Sequence, residues 1–224
     1  MSTDAPRRLL ALLDDAVPAG PLIELSSTLA QHWRRPLEVV YVESAAALVA
    51  AAFPLARVLG PGGAQWLPVA PDDIERGYRS QAARLRVLIE RVAGRNAIQC
   101  SLRVVRGALR QAALELQPHS DLTLVGGGAA ARLLAAATDR RPRPGRPVRR
   151  TVELIADRSA AGLLTRQVAL EVAQALQGTL IERDVPGTAD VIGSALHCEL
   201  LVLPRALAEP GLLERLGRPA LLVG

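Results

Sequence analysis

Two adjacent carboxylates, Asp14 and Asp15, close the apolar run Leu9 to Leu13, and Asp157 closes a similar run later in the chain. At strand ends such groups can meet a ribose or a metal. They more often cap the turn or helix that follows, and capping is the preferred reading here. Gly126-Gly127-Gly128 follow another apolar run. Consecutive glycines leave backbone N–H groups open to an anion, with Arg132 or the arginines beyond it as a source of charge, but a flexible turn is preferred. His32, His119, His197, Cys100 and Cys198 are metal-ligand types. No pair among them has the i,i+4 or C-x2-C spacing that brings two donors to one ion, and no metal site is expected. There is no G-x-S-x-G elbow, and Asp14 and Asp15 are adjacent rather than facing, so no catalytic residue is assigned and no enzyme is expected.

The charge is concentrated in one place. The 224 residues contain no lysine, and 27 Arg stand against 22 acids. Six of those arginines lie between Asp139 and Arg150 with a single Asp, and the rest of the chain balances to zero. This stretch, rich in Pro as well, reads as a solvated linker in preference to a nucleic-acid contact. Only five aromatics are present (Trp33, Tyr41, Phe53, Trp66, Tyr78), so the core must be built from Leu, Val and Ala, and a base-stacking surface is not expected. The longest apolar run, Ala45 to Ala56, is about twelve residues with Pro54 inside it, too short for a bilayer. The opening Met1-Ser2-Thr3-Asp4 carries no leader pattern, and two distant cysteines make no disulfide framework; the expected location is the cytoplasm.

The positioning elements alternate. Leu9 to Leu13 predicts a strand buried on both faces, and Pro21 to Trp33 a helix with Leu22, Leu25, Leu29 and Trp33 inward. Strands follow at Leu37 to Val42, Leu102 to Val105 and Leu122 to Val125. Between them run a long helix, capped by Asp72 or Asp73 and ending at Gly94, and a shorter one from Ala108 to Leu116. Strands separated by helices predict a parallel α/β sheet. Residues 45–59 are too apolar for a solvated loop, leaving two readings: a helix over the cleft at the strand ends, or an exposed patch for a partner.

After the linker the pattern repeats. Shifted by 143 residues, Asp14 falls on Asp157, Leu25 and Leu29 on Val168 and Val172, Gln31 on Gln174 and Leu37 on Leu180. Leu122 to Val125 corresponds to Leu200 to Leu203. The second copy is shorter, with no counterpart of the long helix and third strand, and it ends in a last strand over Arg218 to Val223 that the first copy lacks.

This arrangement resembles the universal stress protein family in tandem form. The carriers are Leu9 to Asp14, Leu37 to Val42, Val105-Arg106-Gly107, Asp121 to Gly126, and Asp157-Arg158-Ser159 in the second copy. The resemblance implies open parallel sheets of strand order 3-2-1-4-5, in domains 1–138 and 151–224 joined by the 139–150 linker and packed against each other as a pseudo-dimer. A branch of the family binds ATP through a loop G-x2-G-x9-G-[S/T]. Here Gly126 fits the first position, but Ala129, Asp139 and Arg140 occupy the others, and the second copy begins its loop with Pro204. The implied function is therefore a non-catalytic stress or regulatory protein that acts through protein partners and holds no cofactor, with a homodimer possible. The alternative is a nucleotide-binding stress protein using a non-standard loop for ATP or AMP, with Asp14, Val42, Gly126, Gly127 and Gly128 as its site.

Overall fold

A computed structural model describes residues 8–15, 17–59, 65–116, 122–126, 150–183, 198–208 and 218–224. The first half comprises β1 (Leu9–Leu13), α1 (Ala19–Trp33), β2 (Leu37–Ser44), α2 (Ala45–Ala51), β3 (Arg57–Leu59), β4 (Trp66–Pro68), α3 (Pro71–Asn96), β5 (Cys100–Gly107), α4 (Leu109–Leu116) and β6 (Leu122–Val125). The second comprises β7 (Thr151–Ile155), α5 (Ala160–Ala175), β8 (Thr179–Arg183), β9 (Leu200–Pro204) and β10 (Ala220–Val223).

All five residues of β1 are buried, because helices cover both faces of the strand. Leu9, Ala11 and Leu13 face a core made with α1, α3 and α5; Leu10 and Leu12 face a second core made with α4. This alternation is the two-residue period of a strand. α1 presents Leu22, Ile23, Leu29 and Ala30 to the first core, and α3 presents Tyr78, Ala82, Leu85, Ile89 and Val92, the i, i+3, i+4 stripe that a core-facing helix requires.

Eight strands form one sheet in the order β5-β2-β1-β6-β10-β9-β7-β8. Neighbours are parallel except β6 and β10, which run antiparallel with Val125 opposite Ala220 and Leu122 opposite Val223. The first half thus sets its main-sheet strands in the order third, second, first, fourth, and the second half in the order second, first, third, fourth. This corrects the expected pair of packed sheets of order 3-2-1-4-5. The described first half has no fifth strand beside β6, so β10 of the second half takes that edge from the opposite direction. The result is one continuous sheet. All four β10 residues are buried, Leu221 and Val223 in the first core, Ala220 and Leu222 in the second. Burying a leucine fully contributes about 1.5–3 kcal/mol, which makes this seam a substantial part of what joins the halves.

Three local expectations change. α3 begins at Pro71, where the missing N–H costs no helical bond, and Asp73 accepts the Ala70 N–H at 3.1 Å rather than being the capping residue itself. It runs past Gly94 to Asn96 and ends on Ala97 in the left-handed region (φ 50). Residues 45–59 divide: Ser44 caps the short helix α2 through the Ala47 N–H at 3.2 Å, and the chain then enters the β3–β4 hairpin, a separate two-stranded antiparallel sheet. No helix among the described residues is long and apolar enough to cross a membrane. The linker 139–149 and the helix-like 189–196 lie outside the described residues.

Candidate functional site

The carboxyl ends of β1, β2 and β6 meet where the strand order reverses, the place at which open α/β sheets bind ligands. Three of the residues singled out in the sequence fall at or near it. Asp14 directly follows β1, half-buried, and its carbonyl accepts the Val17 N–H at 3.3 Å in a tight turn. Gly126 directly follows β6 and donates its N–H to the Leu12 carbonyl at 2.9 Å. Val42 lies on β2 but is 1% exposed and packs with Leu10, Leu12 and Val40, so its side chain belongs to the second core. Gly127 and Gly128 lie outside the described residues.

Gly126 meets a side chain, not an open crevice. A Cβ built on it would lie 2.6 and 2.7 Å from the two Val17 methyl carbons and 3.1 Å from the Val17 Cβ. Val17 is 7% exposed, and its branched side chain has little rotamer freedom with which to withdraw. The glycine is therefore required by the close approach of Val17, a packing role that sequence spacing could not distinguish from a phosphate-loop role.

The polar groups around this edge form a connected belt. Tyr41, fully buried on β2, donates its hydroxyl to Asp15 Oδ1 at 2.5 Å. Tyr78 of α3 donates to the Ser44 carbonyl at 3.0 Å, and the two phenol rings pack edge to face, 6.4 Å apart at 75°. Burial holds the Tyr41 phenol well above its ordinary range, with the Asp15 bond and charge acting in the same direction. Tyr78 is also raised, by burial first and then by the Asp15 charge. Arg106 on β5 lies 3.2 Å from Glu43 and 3.6 Å from Glu75. Asp15 and the Arg106–Glu43–Glu75 ion cluster thus lie along this edge. Asp15, Tyr41 and Tyr78 were not legible as a unit from the sequence, since their separations follow no motif; the only signal was Tyr78 on the inward stripe of α3.

In the second half, Asp157 holds the start of α5. Its Oδ1 accepts the Ser159 hydroxyl at 2.5 Å and the Ser159 N–H at 3.1 Å, while Ser159 Oγ accepts the Gly162 N–H at 3.1 Å. These Ser159 bonds hold the Asp157 carboxyl below its ordinary range. Gly162 is obligatory, because a Cβ there would collide with the Asp157 carbonyl oxygen.

A cleft of about 720 Å³ lies along the outer flank of α1 and the entry points of β7, β9 and β10. Arg95, Arg150 and Arg218 contribute to its walls with Glu24 and Glu199. Arg95 pairs with Glu24 at 3.3 Å, Arg150 with Glu199 at 3.9 Å, and Asn96 donates to Ser27 Oγ at 2.8 Å. Among the described residues it contains no nucleophile and base in contact.

Among the described residues no three His, Cys, Asp or Glu side chains converge as metal ligands. His32 is exposed against the edge of Trp33, Cys100 is half-buried, and His119 and His197 lie outside the described residues. Cys198 is buried, with its thiol pushed up to about 12 by burial and by neighbouring Glu153.

No protein-family profile and no curated protein matches the sequence. Among solved structures, the chain is similar to a universal stress protein from Archaeoglobus fulgidus at 10% identity and a TM-score of 0.49, over 96% of this chain and 95% of that one. It is also similar to a universal stress protein in complex with cAMP, at 12% identity and a TM-score of 0.30, over 80% of this chain and 98% of that one.

Proposed function

We propose that the chain is a non-catalytic regulatory protein of the universal stress type, acting in the cytoplasm through protein contacts and not cradling ATP in the manner of the family's ATP-binding branch. The observation that carries this reading is the pair of Val17 methyl groups set against Gly126, where the first glycine of a phosphate loop would need an open backbone. The placement of β10 on the β6 edge supports a second role for the truncated half. It supplies within one chain a partner surface that an unfused sheet would have to find elsewhere.

Thermal melting with and without 1 mM ATP and Mg²⁺, together with isothermal titration, tests the reading. A site with a dissociation constant of about 10 µM would stabilise the fold by about 2.7 kcal/mol, a shift of roughly 5–10 °C for a chain of this size. The expected shift is under about 1 °C, with no heat beyond dilution. A micromolar isotherm abolished by Gly126→Val would overturn the proposal and establish the nucleotide-binding alternative.

A further inference from the structure

The cleft beside α1 lies between the two halves of the chain, and its volume of about 720 Å³ falls inside the ~300–1,000 Å³ of small-molecule sites. One wall is a flank of α1, where Pro21, Leu25 and Thr28 recur at i, i+4 and i+7. The other comes from the second half: Leu176 at the end of α5, and the residues that enter three adjacent strands. Arg218 lies just before β10, Glu199 before β9 and Arg150 before β7. Because β9 runs between β10 and β7, the three stand in a row at the ~4.8 Å spacing of neighbouring strands. Glu199 pairs with Arg150 at 3.9 Å, the outer limit of an ion pair, and Arg218 has no ion-pair partner among the described residues. α1 is braced from both sides. Its Trp33 donates to Glu171 of α5 at 2.7 Å, and its Ser27 accepts from Asn96 of α3 at 2.8 Å. A cleft fixed in this way gives up little conformational entropy when it is filled.

We propose that this cleft binds a small organic monocarboxylate with an apolar body. Arg218 takes the carboxylate, with Arg150 two strands away, and the body lies against Leu22, Leu25 and Leu176. The charge balance selects a monoanion. Arg95, Arg150 and Arg218 stand against Glu24 and Glu199 in the lining, an excess of one positive charge. Arg95 and Glu24 cancel each other, so the excess belongs to the row at the strand entries, and one carboxylate neutralises it. A phosphate monoester would bring a second negative charge to a row that already holds Glu199. A guanidinium without a partner presents two parallel N–H groups, the fork that matches a carboxylate. The assignment does not rest on the reading of the nucleotide cleft, since Asp14, Val42 and Gly126 do not line this one.

Fluorescence titration of the full chain with pyrenebutyrate, and in parallel with its neutral counterpart pyrenebutanol, tests it. The expected result is saturable one-to-one binding of pyrenebutyrate with a dissociation constant of about 10–50 µM, and binding of pyrenebutanol about tenfold weaker or more. Arg218→Ala should raise the pyrenebutyrate constant by about tenfold, the loss of a charge-assisted contact, while leaving pyrenebutanol unchanged. Leu25→Trp should weaken both ligands by filling the space beside α1. Arg103→Ala, on the far edge strand β5, should alter neither. Arg218 and Arg103 are exposed, so the melting temperatures of their variants should match the wild type. Absence of saturation up to about 200 µM overturns the proposal. Equal affinity for the acid and the alcohol also overturns it, as does a pyrenebutyrate isotherm that Arg218→Ala leaves in place. Displacement of pyrenebutyrate by ATP would make the cleft a polyphosphate site and overturn it too.

Discussion

Replacing Gly126 with Ala places a methyl group 2.6 and 2.7 Å from the Val17 methyl carbons, well inside contact distance. Overpacking of this kind costs about 1–3 kcal/mol, and loss of glycine's freedom in the unfolded chain returns about 0.4–1 kcal/mol. Gly126→Ala should therefore destabilise the protein by about 1–2 kcal/mol, a drop of roughly 3–6 °C in melting temperature for a chain of this size. Val17→Ala removes two buried methyl groups and should cost about 2 kcal/mol by itself. In the Val17→Ala background the added methyl group no longer meets the two methyl carbons and faces only the remaining Cβ at 3.1 Å, so the second substitution should cost no more than about 0.5 kcal/mol. The non-additivity, about 1–1.5 kcal/mol, is the quantity that reports the contact. Urea unfolding followed by far-ultraviolet circular dichroism on the four proteins measures it. Equal costs of Gly126→Ala in both backgrounds, within about 0.5 kcal/mol, would refute the claim that Val17 fills the space before this glycine.

Tyr41 and Tyr78 are the only tyrosines, so phenolate absorbance reports this site alone. Both are held above the ordinary range in the native state, and unfolded tyrosines titrate near ~10, so the folded chain keeps protons that the unfolded chain gives up. Stability should be fully present below about pH 10 and fall above it, with Tyr41→Phe reducing that slope and costing about 1–2 kcal/mol at neutral pH; native phenolate appearing with a midpoint near ~10 for both rings would contradict this. Glu153 is 2% exposed on β7 and pairs with the half-exposed Arg183 of β8. Arg183→Ala should cost about 2 kcal/mol by leaving a buried carboxylate uncompensated, and Glu153→Leu in that background should recover most of it, read by the same urea melts; an Arg183→Ala chain as stable as the wild type would dismiss the pair.

Much of the fold was legible because it is written in local periodicity. The unbroken apolar run Leu9 to Leu13 could only be a strand covered on both sides, and the stripes of α1 and α3 could only be helices with one face inward. Element ends were less legible. Asp72 and Asp73 looked like caps, but Pro71 is suited to the first helical position and draws the start back. Asp14 and Gly126 were placed by order along the chain, and they follow β1 and β6 at the switch point. Val42 was assigned to the same site, yet its side chain points into the α4 core. Asp15, Tyr41 and Tyr78 were missed as a group because no spacing rule joins residues that meet only when β1, β2 and α3 pack.

The sequence by itself determined the alternation of strands and helices and the absence of the full phosphate-loop spacing, since each is a matter of residue type at fixed separation. Only the tertiary structure decided that the halves share one sheet through β10, that Val17 occupies the space before Gly126, and that the β3–β4 hairpin stands uncovered. These depend on which surfaces meet between segments far apart in the chain, or on the few ångströms between two side chains, and neither distance is encoded in local pattern.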